Sequence, residues 1–400
     1  NGTIREIGQN LKAADDETLD ARGQIVAPGF VDIHVHLREP GGEASETIES
    51  GLRAAVAGGF TAVCPMPNTS PIIDNPGLVR ATIETAQRLG LARVFPIAAV
   101  SVGSQGENLV DMKDLVAAGA VAFSDDGRPV KTSGLMRQAM ETAKSLGVPI
   151  IDHCEEPTLS ANGVINEGPV SEKLNVRGVP NSSEDVCVSR DLILAESTGA
   201  HLHVAHLSTA RAVEMVRVGK RRGIRATCEV TPHHFTLTDE AVTEYGTHAK
   251  MNPPLRSARD VEAVIAGIVE GAVDCIATDH APHAPDLKAK PLREAPNGII
   301  GLETALPLAL MQLVHSGRIT LAHLIVLIST NPARIINQPL GRLQLGSHAD
   351  ITIFDPNLEW TYRAAEGRSK SRNSPFDGWK LRGAVRATIV GGRIVYQSQT

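Results

Sequence analysis

From about residue 28 to about residue 335, short and almost uninterrupted apolar runs alternate with longer stretches whose apolar residues recur at helical spacing. Strands covered on both faces read as continuous apolar runs, and the helices between them return the chain, so the pattern predicts repeated strand-helix units around a parallel sheet. Eight strands are predicted, over 31–36, 60–66, 94–100, 121–126, 149–154, 201–207, 226–230 and 275–280. Helices fall between them: 46–57, with Ile48, Leu52, Ala55 and Val56 on one face, is one and 135–146 another. Eight such units predict an α/β fold of the (β/α)8 TIM-barrel type, in which active sites lie at the carboxyl ends of the strands. The alternative, a doubly wound sheet, gathers its site at a single switch point instead.

The two ends of the chain follow another pattern. Residues 345–354, 385–390 and 393–396 are short β patterns broken by glycine and proline, with no helix between the last two. Together with the strand-like first 26 residues they predict a small β-sandwich domain built from both termini, over 1–27 and 338–400, beside a barrel domain over 28–337. The chain opens on Asn1-Gly2 without an initiator Met, from which we expect upstream truncation or numbering from an internal residue. The segments 155–183 and 284–298 look most like loops and follow predicted strands that end in His or Asp; they are candidate lids, with ordinary surface connection the competing reading.

Composition narrows the classes. Four hundred residues, 42% of them hydrophobic, bury a large core, and no run approaches the roughly 18 to 20 uncharged apolar residues that span a bilayer. A net charge of -6 without a basic stripe argues against a nucleic-acid partner. The five cysteines, Cys64, Cys154, Cys187, Cys228 and Cys275, form an odd set without a CxxC, and all but Cys187 lie in predicted strands. Buried free thiols in a reducing compartment follow, which favours the cytoplasm.

Chemistry concentrates at the strand ends. His34 and His36 sit two apart, so both imidazoles face one side of a strand; alone such a pair is more often a polar strand end than a metal site. Here Asp126, His153, His206 and Asp279 end four other apolar runs. These six residues supply nitrogen and carboxylate ligands for a catalytic metal centre, enough for two ions if one carboxylate bridges. Asp279 has a second possible role as the carboxylate that takes a proton from an activated water and passes it to a leaving nitrogen. His206 is preferred over His201 and His203 because it lies nearest the carboxyl end, and only one of Asp125 and Asp126 should face the mouth. His233 and His234 read as supporting residues. Cys154 should point away from His153 and reads as structural.

Residues 30–41, FVDIHVHLREPG, and 277–283, ATDHAPH, resemble the two signatures of dihydroorotase in the amidohydrolase superfamily, in its longer bacterial class I form. MPNT at 66–69, AFSDDG at 122–127, DHCE at 152–155 and MNPPLR at 251–256 match the same pattern, so the resemblance covers nearly the whole chain, with only the family's first strands missing. It implies reversible cyclisation of N-carbamoyl-L-aspartate to L-dihydroorotate in pyrimidine synthesis. It further implies zinc held by His34, His36 and Asp279, a second and weaker zinc held by His153 and His206, and Asp126 as the bridge. Many superfamily members bridge with a carboxylated lysine; here the nearest lysine, Lys131, lies beyond a Gly-Arg-Pro turn. Arg38 is placed to grip the substrate carboxylate bidentately, with Asn68, Asn252 and His283 as further substrate contacts. The competing readings are a hydantoinase-like or allantoinase-like cyclic amidohydrolase, and a non-catalytic subunit that scaffolds aspartate carbamoyltransferase. Partners consistent with the resemblance are that carbamoyltransferase and a second copy of the chain.

Overall fold

A computed structural model describes residues 2–9, 11 and 18–398, so parts of the predicted N-terminal β pattern, residues 1, 10 and 12–17, lie outside the described residues. The first strand, β1 (Ile25–Pro28), belongs with the far end of the chain. The barrel follows as β2 (Phe30–Val35), β3 (Phe60–Pro65), β4 (Arg93–Val94) with β5 (Ile97–Ala98), β6 (Ala122–Phe123) and β7 (Ile150–Asp152). Two short strands, β8 (Ile165–Asn166) and β9 (Gly178–Val179), pair only with each other, after which β10 (Leu202–Val204), β11 (Ala226–Val230) and β12 (Cys275–Ile276) complete the barrel. All barrel pairings are parallel, in the orders β2-β3-β4 and β5-β6-β7-β10-β11-β12. A parallel bridge between Val35 and His280 closes the ring, and the His36 amide donates to the His280 carbonyl at 2.9 Å.

The third predicted strand is split. Pro96 has no N–H to give the ladder, and the chain is carried across it by Phe95 N donating to Val63 O and by Val121 N donating to Pro96 O. Counting β4 and β5 as one strand, the eight predicted strands are the eight of the barrel, with shorter ladders than the apolar runs suggest.

Every residue of β2 and β3 is buried, which is why they read as mainly apolar runs, with Asp32, His34 and Thr61 the polar exceptions. Val31, Ile33, Ala62, Cys64, Ile97, Ile151, Ala205, Cys275 and Ala277 pack together inside the barrel, and Ala333, Ile335, Ile336 and Leu340 join them. Leu52, Val79, Leu115, Met136, Val188, Val213 and Ile268, all helical, form the outer layer with the other face of the strands. The helix predicted at 46–57 begins at Ile48, because Thr47 and Ser50 close a capping box around its first turn. That leaves Glu46 outside the helix and buried, where it accepts from Lys370 N at 2.9 Å and from the Ser50 and Ser369 hydroxyls.

β13 (Ile351–Thr361), β14 (Lys380–Val390) and β15 (Arg393–Gln397) form an antiparallel sheet in the order β1-β13-β14-β15. Thr3 pairs antiparallel with His348, so both chain ends contribute to the terminal β region, as their patterning predicts. The two loop-like segments are more folded than their composition suggests. Residues 155–183 hold the helices Pro157–Ser160 and Pro169–Lys173 with the β8-β9 pair, and 284–298 begins with the helix Pro285–Lys288. No helix among the described residues is long and apolar enough to cross a membrane.

Candidate active site

Strict alternation does not by itself bring the candidate ligands together. Val31 and Ile33 face the barrel interior, which would turn His34 outward; the β2-β3 register slips between Asp32 and Val35, and His34 and His36 then face inward while Val35 and Leu37 join the outer layer. The Asp32 carboxylate sits at this irregularity, accepting from His34 N at 3.1 Å and Thr278 N at 3.2 Å. On β7 alternation is kept, so His153 faces inward and Asp152 and Cys154 outward. After β10 it breaks again: Ala205 is interior, and His206 is brought to the same side by a left-handed backbone, φ 31°. Asp279 (φ 44°) and Arg38 (φ 60°) are also left-handed, a conformation that costs a non-glycine residue about 1 to 3 kcal/mol and clusters at functional sites.

The side chains converge. His36 Nε2 lies 3.0 Å from Asp279 Oδ1 and 3.7 Å from Asp126 Oδ2, and His34 Nε2 lies 3.4 Å from Asp126 Oδ1 and 3.6 Å from Asp279 Oδ1. His153 Nδ1 is 2.8 Å from His206 Nε2 and 3.7 Å from Asp126 Oδ1, and His206 Nε2 is 4.0 Å from that same oxygen. Asp126 therefore lies between the two histidine pairs. Its neighbour Asp125 turns away, accepting from the Val100 and Ser101 amides at 2.9 and 3.1 Å. All six predicted ligands are buried and fall in overlapping groups of His and Asp with metal-ligand spacing. The buried Nε2 of His34 has no hydrogen-bond partner although two carboxylates face it, an arrangement that suits a shared cation. Nitrogen and carboxylate donors without thiolates fit zinc in a catalytic site.

Supporting residues set the protonation states. Glu229 Oε1 lies 2.6 Å from His34 Nδ1 and its Oε2 3.1 Å from His203 Nε2. Burial disfavours a charge on His34, but Asp279 and Glu229 outweigh it and hold the imidazole well above its usual range. Burial also opposes ionisation of Asp279, and His34 and His36 reverse that, holding it well below the carboxylate range. His206 is pulled down to about 3 by burial and by the neighbouring His153 and His34, which makes it neutral at physiological pH. Glu155 Oε2 accepts from His153 Nε2 at 3.0 Å and from Asn252 Nδ2 at 2.7 Å; burial works against charge on His153, yet Glu155 and Asp126 push it up to about 9.

Glu229, Glu155 and Asp32 were not singled out by sequence reasoning, although a carboxylate inside an apolar run, as at Glu229 and Asp32, is a readable signal. His201 and His203 both hydrogen-bond Thr227 Oγ1, at 2.8 and 2.9 Å, in keeping with a structural role. His234 is used by Thr231 Oγ1 and Pro253 O.

A cavity of about 270 Å³ opens over the cluster, lined by His36, Asp126, His153, His206 and Asp279 together with all four predicted substrate contacts, Arg38, Asn68, Asn252 and His283. Met251 and Asn297 also line it. Arg38 Nε donates to Pro282 O at 3.1 Å, which fixes the plane of the guanidinium; burial lowers its pKa to about 10, against Asp279 and Asp126, so it stays charged at neutral pH. The other three contacts already have partners. Asn68 Oδ1 accepts from His36 Nδ1 and its Nδ2 donates to Asp126 Oδ2, both at 2.9 Å, while His283 Nε2 donates to Asn297 O at 2.7 Å. Arg38, whose Nη2 also lies 3.4 Å from His283 Nε2, is the arginine of the cavity lining. A larger cavity of about 480 Å³ beside β4 is lined by residues such as Leu91, Phe95 and Val390 and carries neither a histidine nor a carboxylate.

Comparison with known proteins decides the family. A family profile described as Dihydro-orotase-like matches residues 23–212, and one described as Amidohydrolase family matches 294–396. Over 399 residues the chain is 50% identical to a dihydroorotase of Geobacter sp. (strain M21), covering 100% of this chain and 94% of that one. The chain belongs to the dihydroorotase family. A dihydroorotase of Pelotomaculum thermopropionicum is 52% identical over 399 residues, covering 100% of this chain and 93% of that one. Among solved structures, the L-hydantoinase (dihydropyrimidinase) of Arthrobacter aurescens matches with a TM-score of 0.87 at 27% identity, covering 99% of this chain and 91% of that one. The dihydropyrimidinase of Brevibacillus agri NCHU1002 has the same fold, with a TM-score of 0.84 at 22% identity over 100% of this chain and 90% of that one. Family membership makes the chain a hydrolase of cyclic amides, and the grouped histidines and aspartates are its candidate metal ligands.

Proposed function

We propose that this chain catalyses the reversible cyclisation of N-carbamoyl-L-aspartate to L-dihydroorotate, with zinc as its metal. The observation that carries the reading is Arg38, a charged guanidinium in the same cavity as the histidine-aspartate cluster. A flat cyclic amide bearing one carboxylate satisfies both features, and an uncharged hydantoin or dihydropyrimidine leaves Arg38 without a counter-ion.

In this reading His34, His36 and Asp279 would hold one zinc and His153 and His206 a second, with Asp126 shared between them. Zinc bound there supplies an activated water and polarises the scissile carbonyl. The protein's own groups do the rest. Arg38 binds the carboxylate and sets the ring amide over the cluster. In hydrolysis Asp279, ionised in its pocket, accepts the proton of the attacking water and delivers it to the departing ring nitrogen. In the biosynthetic direction it takes a proton from the carbamoyl nitrogen and returns it to the departing hydroxyl, which leaves as water. Glu229 fixes the tautomer of His34 by accepting from Nδ1, which turns Nε2 to the cluster.

A substrate panel tests the proposal: turnover of dihydroorotate with none of hydantoin, dihydrouracil or allantoin supports it, and the reverse preference rejects it. The scaffold reading is disfavoured because none of the six ligands is lost. Aspartate carbamoyltransferase is the proposed protein partner, and a rise in turnover when it is added to the purified chain is the test.

A further inference from the structure

The alternation that turns His153 into the barrel turns its neighbours outward. Asp152 and Cys154, two apart at the end of β7, meet the helix Asn181–Thr198, whose Cys187 and Asp191 are four apart and so share one face. The Cys154 sulfur lies 3.5 Å from Asp152 Oδ2 and 3.5 Å from Asp191 Oδ2. The Cys187 sulfur lies 3.6 and 3.7 Å from the same two oxygens. All four residues are buried, and their ligand atoms lie within 4.8 Å of one another. None of them takes part in the reaction proposed above.

A tetrahedral zinc ion with bonds of about 2.3 Å to sulfur and about 2.0 Å to oxygen requires sulfur-oxygen edges of about 3.5 Å. The four observed edges have that length. Each sulfur stands nearly equally close to two carboxylate oxygens, as ligands around one shared ion do. Both carboxyl groups lie against one guanidinium, that of Arg190. Arg190 also orients the set. Its Nε donates to Asp191 Oδ1 at 2.8 Å and its Nη1 to Val130 O at 2.7 Å, which leaves Asp191 Oδ2 turned to the sulfurs.

We propose that Asp152, Cys154, Cys187 and Asp191 form a second, structural metal site of the zinc class, which ties β7 to the helix Asn181–Thr198 behind His153. Two thiolates select zinc over magnesium or calcium, and four buried protein ligands leave no open position, so the site is closed rather than catalytic. Binding displaces the thiol protons, and affinity therefore rises with pH.

Cobalt(II) separates this site from the histidine cluster, because only thiolate ligation gives a near-ultraviolet sulfur-to-cobalt charge-transfer band. The cobalt-loaded wild-type protein is expected to show that band, and Cys187→Ala is expected to lose it while keeping the cobalt at the histidine cluster. A wild-type spectrum without the band overturns the proposal. So does a band left unchanged by Cys187→Ala, which would put the thiolate on a cysteine outside this site. If that variant does not fold, zinc X-ray absorption of the wild type decides: a shell totalling two sulfurs per chain at about 2.3 Å supports the site, and one or none rejects it.

Discussion

Glu229 Oε1 lies 2.6 Å from Nδ1 of His34, with both side chains fully buried, and this contact turns the other nitrogen of His34 toward the candidate metal ligands. Outer groups that orient a ligating histidine typically contribute about 10- to 100-fold in metal affinity. Glu229→Gln, which keeps the shape and loses the charge, is therefore expected to weaken metal binding by that order while the fold persists. Metal titration of the two proteins against a competing chelator checks it, and equal affinities would remove Glu229 from the metal site.

Arg38→Met is expected to lower kcat/KM for dihydroorotate by about 2 to 5 kcal/mol, the cost of truncating one partner of a buried charged pair. Its metal content should match the wild type, since Arg38 is hydrogen-bonded to Pro282 O rather than to a ligand. Steady-state kinetics with elemental analysis of the same samples decides, and near-normal efficiency would reopen the hydantoinase reading.

Asp279 and Asp126 separate by their response to metal. General acid-base catalysis contributes about a hundred- to ten-thousand-fold, so Asp279→Asn should lose at least that much turnover and should not recover it in excess zinc. Asp126→Asn lies between the two histidine pairs and should first lose its weaker metal, with partial recovery on adding zinc. Rescue of Asp279→Asn by zinc would reduce Asp279 to a ligand.

Lys288 gives a pH dependence away from the metal cluster. It is buried and donates to Pro296 O and Gly298 O at 3.0 and 3.1 Å, holding the end of the segment that carries Asn297. Burial, reinforced by Lys250, lowers its pKa from 10.5 to about 7. Between those values the unfolded chain holds a proton that the folded chain does not, so this group makes the fold more stable as pH rises from about 7 to 10.5. Urea unfolding across that range should show the wild type gaining stability relative to Lys288→Met. Parallel stability curves would contradict the assignment.

The barrel was legible because parallel strands covered on both faces leave nearly continuous apolar runs, and the six candidate ligands because they lie at the ends of those runs. The inward turn of His34 and of His206 was not, since each depends on a backbone irregularity, a register slip in β2 and a left-handed residue after β10, that no side-chain pattern encodes. Asn68 illustrates another limit. Its place in the motif suggested a substrate contact, but the fold sets its amide between His36 and Asp126, where it serves the ligands first. The β8-β9 pair in 155–183 is too short for periodicity to register, yet Glu155 at the start of that segment reaches His153.

In the proposed reaction Arg38 and the histidine-aspartate cluster work together on one carboxylated cyclic amide. Hydrolysis of L-dihydroorotate by the purified, zinc-replete chain, with no other protein present, tests it most directly. We predict turnover that is abolished by chelation and restored by zinc. A chain that carries its full zinc and leaves dihydroorotate intact would contradict the account.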